Sequence, residues 1–310
     1  MSDARIPWVA FDPAAQRVLE MAAKVADTST TVLITGESGT GKDQLARLIH
    51  ELSARRDAPY LKIDCASLPQ ELVESELFGH ERGAFTGAVE RKLGRLEMAG
   101  GGSIVLDEVA ALSAPTQSKL LRVLEERQFE RLGGTETLTI AARLIALTNA
   151  DLTRAVSAGL FREDLYFRIS VLTIRVPSLR ERPADIVPLA EHLLARLAAV
   201  HGRPDTALSD AARKSLQAYD WPGNVRELKN AIERALVFAS NSTLEPAEFS
   251  DSIRGAEAGV TGRLRSLEEI EREVIQATLE ATHYKISRSA EILGISRKTL
   301  LDKRKRYGLQ

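Results

Sequence analysis

Cysteine is almost absent: Cys65 stands alone in 310 residues. That excludes a disulfide scaffold and a cysteine-rich zinc site, and it suits a reducing cytoplasm. Cys65 itself reads as a small buried hydrophobe after a strand. Long apolar runs are missing too. None approaches the ~20 residues of a membrane span, and no secretory signal opens the sequence. The expected location is cytoplasmic, with no membrane partner. Net charge is nearly absent, at −1, but it conceals an asymmetry. From Lys285 to Gln310, eight basic residues face only Glu291 and Asp302, so this tail carries +6 and the rest of the chain −7. A basic terminal block on a mildly acidic body reads either as a nucleic-acid module or as a solvated basic helix.

What is present is ordinary for a folded protein of two or three domains: 44% hydrophobic and 27% charged residues. Short β-rich apolar runs at Thr31–Thr35, Tyr60–Asp64, Ser103–Leu106, Arg143–Thr148 and Leu172–Val176 read as buried strands. Helical patterns separate most of them; after the first, Leu45, Leu48, Ile49 and Leu52 recur at helical spacing. Strands alternating with helices, without hairpin signals, predict an α/β fold whose parallel sheet has helices on both faces. From Pro183 the chain reads as wholly helical. Ile186, Leu189, Leu193, Leu194 and Leu197 form one stripe, a second helix spans about Asp210–Tyr219, and "WPGN" precedes a third at Val225–Ala239. Residues 254–265 read as a linker, after which Ser266 caps another helix. The expected division is 1–177 (α/β), 178–253 (helical lid), 254–265 (linker) and 266–310 (a small all-α helix-turn-helix domain).

The stretch "VLITGESGTGKD" is a strand running into a glycine loop that opens a helix, the context a phosphate-binding P-loop demands. Gly36, Glu37, Ser38, Gly39, Thr40, Gly41, Lys42 and Asp43 form the candidate nucleotide-binding set. Backbone N–H groups cradle phosphate, and Lys42 adds a cation for the β/γ-phosphates of ATP. Asp43 stands where such loops usually carry Ser or Thr, so a direct hydroxyl ligand to Mg²⁺ is missing. In "GGGSIVLDEVA" a strand ends in Asp107-Glu108. Asp107 is the candidate metal ligand beside Asp43, and Glu108 the candidate base that orients or deprotonates the attacking water. Asn149, in "ALTNAD", ends the next strand, where it faces the ligand crevice and could sense the γ-phosphate or its water.

At the carboxyl end, "SRSAEILGISRKTLLDKRKRYGL" has helix-turn-helix spacing. Ser287 is expected to cap one helix, Ala290 and Leu293 to face inward, Gly294 to supply the left-handed turn residue, and Ser296 to cap the recognition helix. Arg288, Ser296, Arg297, Lys298, Thr299, Lys303 and Arg304 are the candidate DNA-binding residues.

One stretch fits none of this chemistry. "ERGAFTGAVE" puts a lone aromatic, Phe85, and Thr86 between Gly83 and Gly87, flanked by charge. A surface loop hinged on glycines gives Phe85 nothing obvious to pack against.

Taken in order, "GESGTGKD", "ESELFGHERGAFTGA", "GGSIVLDEVA", "QFERLGG", "TNADL", "GLFREDLYFRISV" and "WPGNVREL" resemble the AAA+ ATPase domain of bacterial enhancer-binding proteins, the activators of sigma-54 RNA polymerase. The resemblance covers nearly the whole chain, and the tail is similar to the family's Fis-type DNA-binding domain. It implies that Gly83, Ala84, Phe85, Thr86, Gly87 and Ala88 form the loop that grips sigma-54, with Gln128–Gly134 as a second loop moving with it. It implies that Arg162 and Arg168 reach a neighbouring subunit's nucleotide, in a hexameric ring, although a surface salt bridge to Glu163 or Asp164 is the simpler role for one of them. Arg226 would be the lid arginine that reports bound nucleotide. The partners implied are the sigma-54 RNA polymerase holoenzyme and upstream enhancer DNA. Two departures stand out. Asp64 replaces the usual Asn, losing an amide donor and adding like charge near Glu108; Leu301, Asp302 and Arg304 depart from the usual recognition-helix pattern. Few residues precede the ATPase and none resembles a receiver or GAF domain, so control is expected from a separate regulatory protein acting in trans, from expression level, or from a segment removed from this chain. A DNA-binding AAA+ regulator acting as a repressor, or on another sigma factor, is the rival reading; the intact GAFTGA and Asp107-Glu108 oppose it. A general AAA+ remodeller is a third, opposed by the basic helix-turn-helix.

Overall fold

In the computed structural model, residues 8–258 and 271–307 are described, apart from 273, 277, 280, 281 and 283. They fall into two compact units that divide between Glu257 and Ala258. No helix among the described residues is long and apolar enough to cross a membrane.

The first unit begins with an α/β part. Its strands are β1 (Val32–Thr35), β2 (Tyr60–Asp64), β3 (Gly79–His80), β4 (Lys92–Leu93), β5 (Ser103–Asp107), β6 (Gln128–Glu130), β7 (Thr137–Thr139), β8 (Arg143–Thr148) and β9 (Leu172–Arg175). Its helices are α1 (Pro13–Ala26), α2 (Lys42–Leu52), α3 (Gln70–Phe78), α4 (Arg95–Met98), α5 (Ala114–Glu126), α6 (Leu152–Ser157) and α7 (Glu163–Ile169). The five longer strands expected from sequence make one sheet in the order β2-β5-β8-β1-β9, and every neighbour in it is parallel. Side chains alternate across this sheet with period two. Leu33, Ile63, Ile104, Leu106, Leu144 and Ala146 pack on one face against α3, α5 and α7. Val32, Ile34, Val105, Ile145, Leu147 and Ile174 pack on the other against α1 and α2. Both faces are covered, so the inner strands β5, β8 and β1 lack the polar-out alternation of a half-exposed sheet, which only the edge strands β2 and β9 keep. The short antiparallel pairs β3–β4 and β6–β7 lie outside it.

The lid follows as α8 (Pro183–Val200), α9 (Asp210–Ala218), α10 (Asn224–Phe238) and α11 (Asp251–Ala258). It is not wholly helical: β10 (Ala207–Leu208) and β11 (Thr243–Leu244) pair in parallel. Leu208 and Leu244 are both buried there, so each strand pins its loop to the lid core while pairing its own backbone. Trp221 fills that core, its indole N–H donating to the Leu216 carbonyl at 2.8 Å. The expected linker also needs correction. α11 runs through residues 254–258, anchored by buried Ile253; residues 259–265, and the expected cap Ser266, lie outside the described residues.

In the second unit, described residues between 271 and 279 are helical, followed by α12 (Ile286–Ile292) and α13 (Arg297–Arg306). Ile275, Leu279, Ala290 and Leu300 form its core, with Leu293 packed against them. Gly294 adopts φ 64° at the turn, the left-handed conformation that glycine takes without a Cβ penalty. Ser296 caps α13, its hydroxyl accepting from the Thr299 N–H at 3.0 Å. Ser287 caps nothing. The helix already starts at Ile286 with Lys285 as its N-cap, and Ser289, within its first turn, is buried and bonds Thr282 Oγ1 at 2.6 Å.

Candidate functional site

β1 delivers the chain into the loop Gly36–Gly41, and α2 begins at Lys42. The loop is shaped partly by the lid. At Gly39, with φ 78°, a Cβ would lie 2.5 Å from the Gly223 carbonyl oxygen; only glycine permits that approach. Lys42 is buried, and its ammonium donates to the Gly36 and Glu37 carbonyls at 2.9 and 3.1 Å. Burial pulls its pKa down, against the pull of Glu108, Asp107 and Asp43.

The end of β5 lies beside this loop. Asp107 and Glu108 line one cleft of about 300 Å³ together with Ser38, Gly39, Lys42, Asp43 and the lid's Arg226. Glu108 has left-handed backbone angles, φ 53° and ψ 53°, a conformation that costs a non-glycine residue on the order of 1–3 kcal/mol and concentrates at working sites. Its Oε2 accepts the Asn149 backbone N–H at 3.1 Å, so the ends of β5 and β8 are tied together.

One residue of this cluster escaped the sequence reading. Lys62 Nζ lies 2.6 Å from each carboxylate oxygen of Asp43 and 2.7 Å from Asp107 Oδ2. Burial alone would lower its pKa, but its hydrogen bonds to Asp107 and Asp43 prevail and leave it raised. The signal was available: in "YLKID" period-two alternation sends Lys62 to the face opposite Ile63, the face on which α2 packs. Asp64 pairs in register with Asp107, but its carboxylate is turned to the Ala66 and Ser67 N–H groups at 3.0 and 3.1 Å. Cys65 beside it is buried, and burial pushes its thiol up to about 12. That is the inert behaviour of a packing residue.

Among the described residues, no group of three or more His, Cys, Asp or Glu forms a metal cage. Two carboxylates already converging on one cation nonetheless suit Mg²⁺, which takes one or two carboxylates plus phosphate and water.

The lid reaches the loop through Arg226, expected from sequence, and through Asn224, Arg180 and Arg182, which sequence reading did not single out. Asn224 Nδ2 donates to Glu37 Oε2 at 3.1 Å and to the Ser38 carbonyl at 3.0 Å. Arg180 forms an ion pair with Glu37, and these hydrogen bonds, Arg180 first and then Asn224, hold the Glu37 carboxyl below its usual range. Arg182, itself buried, donates to the Thr40 carbonyl at 2.9 Å. Arg226 donates to Ser38 Oγ at 2.8 Å.

Arg162 and Arg168 do not line this cleft. Arg162 pairs with Asp164, at 2.7 Å, and Arg168 donates to the Leu124 carbonyl at 2.9 Å. Both belong to exposed positions of the α7 segment.

The loop at residues 83–88 is closed by Gly83 N–H donating to the Ala88 carbonyl at 2.8 Å and Ala88 N–H to the Phe85 carbonyl at 3.0 Å. Phe85 is 42% exposed, its ring meeting His80 edge-on at 5.0 Å; Thr86 is exposed. Ala88 is buried and closes the base of the loop. The segment Gln128–Gly134 lies directly alongside. At Gly133, a Cβ would come within 2.8 Å of Ala84 Cβ. Arg131, buried, binds Glu81, Glu97 and Glu136, joining that segment to the foot of the loop.

On the second unit, Arg288, Ser296, Arg297 and Lys298 are exposed. Lys303 instead pairs with Glu271 within the unit, Thr299 Oγ1 bonds Ser296 Oγ at 2.7 Å, and Arg304 lies over the Tyr284 ring at 5.9 Å. Lys303 and Arg304 thus meet side chains from other parts of the unit and Thr299 completes the helix cap, whereas Arg297 and Lys298 occupy the open first turn.

Comparison with known proteins agrees with this layout. Residues 9–175 match the sigma-54 interaction domain, 180–263 the AAA+ ATPase lid domain, and 266–307 the Fis family of bacterial regulatory proteins. The transcriptional regulatory protein FlbD of Caulobacter vibrioides is 40% identical over 99% of this chain and 71% of its own. ZraR of Salmonella typhimurium is 45% identical over 97% and 69%. The Nif-specific regulatory protein of Azotobacter vinelandii is 43% identical over 93% of this chain and 56% of its own. Among solved structures, NtrX from Brucella abortus in complex with ATP superposes with a TM-score of 0.76 at 34% identity, covering 99% of this chain and 71% of that one. The chain belongs to the sigma-54-dependent transcriptional regulators, built from an AAA+ ATPase domain, its helical lid and a Fis-type helix-turn-helix DNA-binding domain.

Proposed function

We propose that this protein hydrolyses ATP to remodel sigma-54 RNA polymerase from upstream DNA, using the loop at residues 83–88 as its grip. The observation that carries the reading is the single cleft shared by the phosphate loop, the Asp107-Glu108 strand end and Arg226 of the lid. In it, Lys42 and the loop N–H groups bind phosphate, and Glu108 takes the proton of the attacking water. Asp43 and Asp107 hold Mg²⁺, which neutralises charge on the phosphates. Asn149, whose N–H already holds Glu108, relates the state of the γ-phosphate to the base. Arg226, Asn224 and Arg180 tie the lid to Ser38 and Glu37, so nucleotide that displaces those contacts moves the lid.

Arg162 and Arg168, outside their own cleft, serve a neighbour's nucleotide in a hexameric ring, which requires Arg162 to leave Asp164. Arg131 and the Ala84–Gly133 contact support coupling of the two loops. Arg297, Lys298 and Arg288 contact enhancer DNA, and a separate regulatory protein supplies control. In this reading residues 1–177 are the catalytic part and 178–253 the lid.

Reconstituted open-complex formation on a sigma-54 promoter, with and without ATP, tests the whole. ATP-dependent opening is expected. Opening without ATP, or ATP turnover with no opening, would reject it and favour a regulator acting as a repressor or on another sigma factor.

A further inference from the structure

We propose that Lys62 is an internal cation seated where the divalent metal binds, and that metal enters only when it arrives with nucleotide and displaces this ammonium. The inference rests on the reading that Asp43 and Asp107 hold Mg²⁺.

Asp43 belongs to the first turn of α2 and Asp107 to the end of β5. Two carboxylates from different elements repel one another unless a cation lies between them. Lys62 supplies that cation, within 2.7 Å of both. Lys42, which lines the cleft, does not, since its ammonium is turned toward the Gly36 and Glu37 carbonyls. A divalent ion needs the same oxygens at about 2.1 Å, so it and the ammonium exclude one another.

Displacement is feasible. The Lys62 side chain is 35% exposed on an edge strand, and a flexible four-carbon stem can swing into water without opening the core. Bare metal competes with a tethered ammonium that never diffuses away. Metal carried by a nucleotide brings phosphate ligands and the binding of the phosphate loop, and so prevails. Lys62 thereby makes metal binding conditional on nucleotide.

Mn²⁺, read by electron paramagnetic resonance on nucleotide-free full-length protein, is the probe. Lys62→Met and Lys62→Gln should each tighten Mn²⁺ binding at least about tenfold, a modest share of what one unit charge beside a carboxylate exerts near a protein surface. Lys62→Arg, which keeps the charge, should not tighten it. Unchanged affinity in Met and Gln, or equal tightening in Arg, overturns the proposal. Asp107→Asn, measured with ADP bound, separates this from the underlying reading. If it loses Mn²⁺ while the Lys62 variants stay as wild type, only the role of Lys62 falls; if it keeps Mn²⁺, the metal assignment falls and Lys62 with it.

Discussion

Asn149 donates its backbone N–H to Glu108 Oε2 at 3.1 Å, so the end of β8 holds the carboxylate that would activate water. The contact orients Glu108 without consuming its charge. Glu108→Gln retains size and an acceptor oxygen but cannot take a proton. ATP binding should persist while hydrolysis falls by about 10²–10⁴, the usual contribution of a positioned base. Fluorescent-nucleotide binding and phosphate release on the same preparation check this. Near-normal turnover would remove Glu108 from the mechanism.

Arg162 and Arg168 make opposite demands. Within one chain they are engaged, Arg162 with Asp164 and Arg168 with the Leu124 carbonyl, yet the proposed site needs them free to reach a neighbour. If they act in trans, mixing Arg168→Ala subunits with Glu108→Gln subunits should restore some activity, since some interfaces then combine an intact arginine with an intact base. Hydrolysis by a strictly monomeric protein would contradict a shared site.

The lid contact should be pH-dependent. Arg180 and Asn224 hold the Glu37 carboxyl below 4.5, its ordinary value. A carboxyl depressed in the folded state contributes fully above its unfolded pKa and loses that contribution as pH falls through the lower folded value. Glu37→Gln should therefore lower the Tm at neutral pH, and the gap from wild type should narrow as pH drops below 4.5. A gap independent of pH would mean the pair does not hold the lid.

The parallel sheet, its strand ends and the phosphate loop were legible because their signals are local. An apolar strand, a glycine turn and a helix start follow one another within a few residues, and all five long strands appear within a residue of their expected ends. The lid contacts were not legible, because Asn224 lies 187 residues from Glu37 and nothing near "WPGN" announces its partner. Lys62 was legible in principle through strand alternation, but only once β2 is known to neighbour β5. Ser287 misled because a serine before an apolar run is a reasonable cap; the helix instead starts one residue earlier, at Ile286, and takes Ser287 into its first turn. The β10–β11 pair has only two residues per strand, too few for any period to show.

The open first turn of α13 carries the DNA prediction. Arg297 and Lys298 are exposed, whereas Lys303 is neutralised by Glu271. Replacing Arg297 and Lys298 with Ala should weaken DNA binding and reduce the salt slope by about one for each phosphate left without its cation. Lys303→Ala should act mainly on thermal stability. A slope unchanged in the double variant would mean that another face of the helix-turn-helix meets DNA.

Thr86 and Phe85 sit at the exposed tip of a loop whose base is closed by Ala88 and braced against Gly133. Neither lines the nucleotide cleft, so neither should contribute to the chemical step. If the tip instead transmits motion to sigma-54, Thr86→Ala should leave ATP hydrolysis within a few-fold of normal and the Tm unchanged. Capture of sigma-54 in the presence of ADP–aluminium fluoride should fail, and open-complex formation with it. A packing role predicts the reverse pattern, in which Tm and hydrolysis fall together. Phe85 is the harder case, because its ring also meets His80 edge-on and its removal costs some packing. Thr86, exposed, separates the two explanations cleanly. A Thr86→Ala protein that still captures trapped sigma-54 and opens promoters normally would show that the grip lies elsewhere.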